Sequence, residues 1–230
     1  MRTIVYIDGF NLFYSLLTKS SYKWLDLVRL FEEQLLQDIL LPGAEEQAQF
    51  ELVTLKYFTA PILGKLAKDP DSPNRQAHYH RALKAGSGGR LQFIKGFHLS
   101  GITTGNPVDP NLGLNRIKVK VMEEKQTDVN ISLQMYRDAV KGNCSCAVLC
   151  SNDSDLEPAM KMIREDFPAM TLGLVLPRNA SNPGSRKSGK LQRHAHWVRH
   201  QIQEAELEAC QFPDRLLDHR KRTIRRPEPW

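Results

Sequence analysis

Residues 4–7 (Ile, Val, Tyr, Ile) form an unbroken apolar run that ends on Asp8, with Gly9, Phe10 and Asn11 next. So short a run, without polar alternation, suits a strand buried on both faces, as in the middle of a parallel sheet. The carboxylate at its end narrows the fold further. Open α/β sheets gather their strand ends along one edge, where residues distant in the chain can meet. The pattern returns twice: Asp128 sits at the start of a predicted helix, and Asp153 and Asp155 follow the apolar run 147–150.

The segments between these points alternate. Leu25, Leu27, Val28, Leu30, Phe31, Leu35 and Leu36 recur at helical spacing and predict a helix over about 24–39, ended by Pro42 and Gly43. A second strand is expected over 50–58. Ser72 as N-cap and Pro73 at the first helical position open a helix carrying Tyr79, Ala82 and Leu83. It stops at 86–89, a Gly-Ser-Gly-Gly turn that lacks the Lys-Ser/Thr of a phosphate-binding loop. A third strand is expected over 91–97, then an extended loop over 98–114. Residues 117–121 alternate as a half-exposed strand. A helix over 128–141, a strand over 147–150, a helix with Pro158 in its first turn and a strand over 171–176 complete the series. Strands alternating with helices predict an α/β fold with a largely parallel, doubly wound sheet. After Pro177 the composition changes, which predicts a main domain at 1–178 and a basic, partly helical extension at 179–230.

Charge and cysteine content bound the partners. The 230 residues carry 32 Lys and Arg against 26 Asp and Glu, a net charge of +6 concentrated beyond 186, which favours a polyanionic partner. The four cysteines show no disulfide framework, so a reducing cytoplasm is expected. Cys144, Cys146 and Cys150 share strand parity and would face one way. No apolar run reaches membrane-spanning length, and the amino-terminal one is too short for a signal peptide, so no membrane partner is expected.

A lone Asp at a helix start usually caps it. That reading suits Asp155, and Thr127 could cap in place of Asp128, but Asp8 at the end of a buried strand resists it. Carboxylates crowded at one edge repel unless a cation lies among them. Hard oxygen ligands, with no His or Cys in the set, suit Mg²⁺ or Mn²⁺. Such ions activate water and neutralise charge on a phosphodiester.

Three stretches, 6–12, 123–130 and 149–158, resemble in order and content the motifs of the NYN-domain family, a branch of the PIN-like nuclease superfamily. Residues 207–214 are similar to a segment at the end of many bacterial members. The resemblance implies a three-layer α/β/α sandwich with a central, mainly parallel, PIN-like sheet, and metal-dependent cleavage of RNA, single-stranded by preference. It implies Asp8, Asp128 and Asp153 as metal-binding acids, Asp155 as a further acid, and Asn11 and Ser151 as residues that orient the site. Asn152 departs from the family, many of whose members carry Gly there; Asn tolerates a left-handed backbone, so the turn is expected to survive. Glu123 and Glu124 offer a fourth carboxylate, one of them expected to be a solvated strand end.

Basic residues supply candidate nucleic-acid contacts. Arg75, His78, His80, Arg81, Lys84 and Arg90 cluster in and after the second helix, where a phosphate-facing surface and a solvated face are equally good readings. Lys118 and Lys120 share a strand face near the acidic edge, and Lys125 could balance the carboxylates when no metal is bound. Residues 193–200 are expected to form a basic helical surface anchored by Trp197. Three function classes follow: a metal-dependent endoribonuclease, a non-catalytic RNA-binding adaptor, and a small-molecule enzyme. The third ranks last because residues 8–11 supply neither a Gly-x-Gly-x-x-Gly fingerprint nor a second Asp two residues after Asp8. The oligomeric state is left open.

Overall fold

The computed structural model describes residues 1–64, 67, 69–107, 116–179 and 189–228. The chain begins with β1 (Arg2–Asp8) and α1 (Gly9–Leu12), which continues as a π-helical turn over Phe13–Leu17. Then come α2 (Leu27–Leu30), likewise continued over Phe31–Leu35, β2 (Glu51–Thr59) and α3 (Ser72–Gly86). β3 (Leu91–Lys95), β4 (Phe97–Gly105), β5 (Ile117–Lys125) and α4 (Thr127–Val140) follow. β6 (Cys146–Cys150), a 3-10 turn (Ser154–Leu156), α5 (Glu157–Asp166) and β7 (Thr171–Val175) come next. The last part holds α6 (Gly189–Gln192), β8 (Trp197–Arg199), α7 (Glu204–Ala209), β9 (Arg215–Leu217) and β10 (Thr223–Arg225).

Six strands pair in parallel in the order β3-β2-β1-β6-β7-β8. Helices cover both faces, as the α/β reading of the sequence requires. β1 is central because neither of its faces can meet water: Val5, Tyr6 and Ile7 have no exposed surface. Val5 and Ile7 point into one core with Leu16, Phe31, Leu55 and Val148. Ile4 and Tyr6 point into the other, with Phe58, Leu149, Met135 and Met160. Each such side chain contributes about 1.5–3 kcal/mol of burial. The second core also encloses a polar knot: Lys56 pairs with Asp138 at 2.5 Å, and the Tyr6 hydroxyl donates to the same Asp138 oxygen at 2.7 Å.

Four expectations need correction. Residues 98–105 are not loop: they form most of β4, which pairs antiparallel with β5 over nine residues as a separate two-stranded arm. Residues 106–107 carry no regular structure, and 108–114 lie outside the described residues, as do Arg186 and Lys187. The helix expected over 24–39 is confined to 27–35, because Asp26 caps it through hydrogen bonds from Val28 and Arg29. The helical surface expected over 193–200 is instead β8, the sixth strand of the main sheet. Trp197 does anchor this segment, lying flat against Gly173, where any Cβ would collide with its indole. Finally, Cys144 precedes β6 and packs into the opposite core from Cys146 and Cys150, so strand parity does not extend to it.

The residues after β8 also belong to the first core. Phe212 meets Trp24 edge-on at 5.9 Å, its amide donates to the Trp24 carbonyl, and the Trp24 indole N–H donates to the Pro213 carbonyl. Ile224 on β10 is fully buried there.

Candidate functional site

β1 pairs with β2 on one side and β6 on the other, so the chain connections diverge between β1 and β6. In open α/β sheets ligands bind at that crevice, beyond the carboxyl ends of the strands. Asp8 closes β1 there, and Ser151 follows directly after β6.

Asp8 is only 4% exposed and, contrary to expectation, does cap a helix: its Oδ1 accepts from the Asn11 N–H at 2.9 Å. Its Oδ2 accepts from the Ser151 hydroxyl at 3.1 Å. The tight strand-to-helix passage depends on Gly9, because a Cβ there would lie 2.5 Å from the Phe58 carbonyl oxygen and 2.7 Å from the Tyr57 ring. Asn11 reaches across to the loop after β6. Its Nδ2 donates to Asn152 Oδ1 at 2.7 Å, and its Oδ1 accepts from the Asn152 N–H at 3.1 Å. The Asn11–Asn152 pair thus ties the two strand ends together. Asp153, rather than Asp155, is the capping residue of the following turn, accepting from the Asp155 N–H at 3.0 Å.

Asp128 arrives from a different direction. Gln126, at φ 78°, takes a left-handed conformation that turns β5 into α4 and sets Asp128 in the first helical turn. Thr127 spends its hydroxyl on Glu124 rather than on the helix end. Asp8, Asn11, Glu124, Asp128 and Asp153 then line one cleft of about 410 Å³. Among the described residues none of these four carboxylates pairs with a Lys or Arg. Burial, opposed by the two hydrogen bonds and reinforced by the charges of Asp128 and Asp153, pushes the Asp8 carboxyl up to about 6. Asp128 is pushed up to about 6 as well, by burial first and then by Asp153, Glu124 and Asp155.

The donor set suits a hard divalent cation in kind, being oxygen throughout and rich in negative charge. It does not close around one: among the described residues no three His, Cys, Asp or Glu side chains are arranged to hold a metal ion.

The other expected residues are placed as follows. Asp155 is exposed beside the cleft and its charge is felt by Asp128. Lys125 pairs with Glu123 at 2.5 Å and does not line the cleft. Lys118 and Lys120 are exposed on the β5 face that also carries Met122 and Glu124, both of which line the cleft. Arg75 pairs with Asp69 and Asp71, whereas Arg81 shares Asp218 with Arg222. His80 is wedged against Tyr57 and Phe93, and burial pushes its pKa down to about 4.

Sequence reasoning missed a second cavity. It measures about 630 Å³ and shares Phe10, Tyr14, His98 and Met122 with the acidic cleft, so the two are contiguous. The spacing of Phe10 and Tyr14, one helical turn apart directly after Asp8, was the available signal.

The NYN-domain family model matches residues 2–185. The chain belongs to the NYN-domain family. Membership points to nuclease-type chemistry. A curated relative, 6-hydroxy-3-succinoylpyridine 3-monooxygenase HspA of Pseudomonas putida (strain DSM 28022 / S16), is 38% identical over 240 residues, covering all of this chain and 75% of its own length. A solved structure of a protein of unknown function from Vibrio parahaemolyticus superposes with a TM-score of 0.47 at 13% identity, over 88% of this chain and 93% of that one. Among the described residues, no helix is long and apolar enough to cross a membrane.

Proposed function

We propose that this NYN-domain chain is a metal-dependent endoribonuclease acting at the cleft between β1 and β6. One observation carries the reading: four carboxylates from separate segments, Asp8, Glu124, Asp128 and Asp153, share one cleft with no Lys or Arg paired to them among the described residues. Such a set is electrostatically unfavourable by itself and favourable around Mg²⁺ or Mn²⁺. An ion would draw in Asp8, Asp128 and Asp153, which do not enclose it as they stand, and would supply charge neutralisation at the phosphate and a more acidic water.

The chain's own residues do the rest. Ser151 and the Asn11 N–H each hold one oxygen of Asp8, which fixes the carboxylate plane. The Asn11–Asn152 pair fixes the loop that carries Asp153. Asp128 accepts no hydrogen bond from the described residues, so its carboxylate oxygens are available to the ion. Lys118 and Lys120 guide the RNA backbone toward Glu124 along the shared β5 face. By family analogy the products carry 5′-phosphate and 3′-hydroxyl ends. The test sets purified protein with Mn²⁺ on single-stranded RNA beside Asp8→Asn. Cleavage by the wild type alone is expected, and equal cleavage by both overturns the reading. RNA binding that persists in EDTA, with no cleavage under any divalent ion, would instead support an adaptor.

A second reading is hydroxylation of a small heteroaromatic compound, supported by the activity in the name of the 38%-identical relative and by the aromatic cavity beside the cleft. The segment after β1 lacks the dinucleotide-binding glycine fingerprint, which weighs against a nicotinamide or flavin site there. Oxygen consumption with 6-hydroxy-3-succinoylpyridine and NADH, absent without the pyridine, would favour this reading over the first.

A further inference from the structure

We propose that the cavity adjoining the acidic cleft holds one nucleobase of the strand being cut, so that the protein selects a nucleotide and not only a backbone. This rests on the acidic cleft acting on a phosphodiester. At about 630 Å³ the cavity falls within the range of about 300–1,000 Å³ typical of small-molecule sites. Its shared wall with the cleft lets a phosphate and the base attached to it be held at the same time.

The lining suits a flat aromatic ring. Tyr14 is 64% exposed, unusual for a large aromatic beside a buried core, and lies nearly parallel to Phe10 (12°, centroids 6.4 Å apart). Single-stranded nucleic acid binds on such platforms because every base has a stacking face. His98 stands edge-on to Phe10 at 5.6 Å. Its Nδ1 lies 3.0 Å from the Pro61 carbonyl, which can only accept, so Nδ1 donates. In the neutral ring Nε2 is left as an acceptor for the amino edge of a base. On the far side, Lys23 gives one of its three donors to the Ser20 carbonyl and brings a positive charge to the cavity, available to a neighbouring phosphate. Acid on one side, stacking rings in the middle and an ammonium beyond form a sequence that matches scissile phosphate, base and next phosphate.

The test is a titration that needs no turnover. Wild-type and Asp8→Asn protein are titrated with nucleoside 5′-monophosphates and with ribose 5-phosphate, by calorimetry. Nucleotides are expected to bind at least about tenfold more tightly than the base-free sugar phosphate. Tyr14→Ala, an exposed site whose loss should leave the melting temperature unchanged, is expected to erase most of that difference. Leu63→Trp, which fills the cavity from a partly exposed position, should do the same. Equal binding of ribose 5-phosphate, an unchanged base preference in both variants, or binding of 6-hydroxy-3-succinoylpyridine without binding of any nucleotide would overturn the proposal. Failure of the wild type to cut RNA under any divalent ion would sink the nuclease reading separately, while this titration would still read the cavity.

Discussion

Replacing Asp8 by Asn should make the metal-free protein more stable, although it removes the central acid of the cleft. Asp8 is 4% exposed, and its carboxyl is raised from 3.8 to about 6. Holding it ionised at neutral pH therefore costs the folded state on the order of 3 kcal/mol. The folded pKa lies above the unfolded one, so the folded protein binds the extra proton between the two values. The cost is fully present above about pH 6, shrinks as the pH falls toward 4, and is gone below that. Asn keeps the shape and can still accept from the Asn11 N–H, but it gives up a charge-assisted bond with Ser151, which offsets about 1 kcal/mol. The net gain at pH 7.5 is then about 1–2 kcal/mol, or roughly 2–8 °C in melting temperature for a chain of this size. Denaturant titrations in EDTA at pH 4 to 8 measure it. Asp8→Asn should exceed the wild type at pH 7.5 and lose its advantage near pH 4, and Mn²⁺ should stabilise only the wild type. A variant less stable than the wild type at pH 7.5 in EDTA would refute the claim that the acids strain the fold.

Lys56→Met leaves Asp138 ionised and buried without its ammonium partner and should cost about 3–5 kcal/mol in urea unfolding, with partial recovery when Asp138→Leu is added. Gly9→Ala pushes a methyl against the Phe58 carbonyl and the Tyr57 ring, so it should lower stability by about 1–3 kcal/mol and abolish cleavage by displacing Asp8. The pair Lys118→Ala and Lys120→Ala should leave the melting temperature unchanged. It should weaken single-stranded RNA binding and reduce the slope of log affinity against log salt by about 1.4 in fluorescence anisotropy.

The middle of the sheet was legible because β1, β6 and β7 are buried on both faces and carry short apolar runs. The nearness of Asp8 and Asp153 was legible because β1 and β6 end at one edge of such a sheet, whereas Asp128 follows β5, in the separate arm, and arrives by a route the sheet does not dictate. What escaped was governed by tertiary context. β4 is exposed along almost its whole length, so it shows no alternation and reads as a Gly- and Thr-rich loop. β8 is three residues long, and it is a strand only because the β7 edge and the flat face of Gly173 receive it. Arg81 looked free in the sequence because its partner Asp218 is set by the fold, whereas the pairing of Arg75 with Asp69 and Asp71 is local. The aromatic cavity needed β4 to bring His98 against Phe10, and β4 was the strand not foreseen.

Trp197 on Gly173 bears on how the protein can be cut. A recombinant fragment stopped at residue 185, where the family match ends, would discard β8 and leave β7 with bare amides along a mostly apolar rim. Trp24 would also lose Phe212, its lid, and face solvent. Such fragments should go into inclusion bodies, so catalytic tests need the chain kept past Ile224.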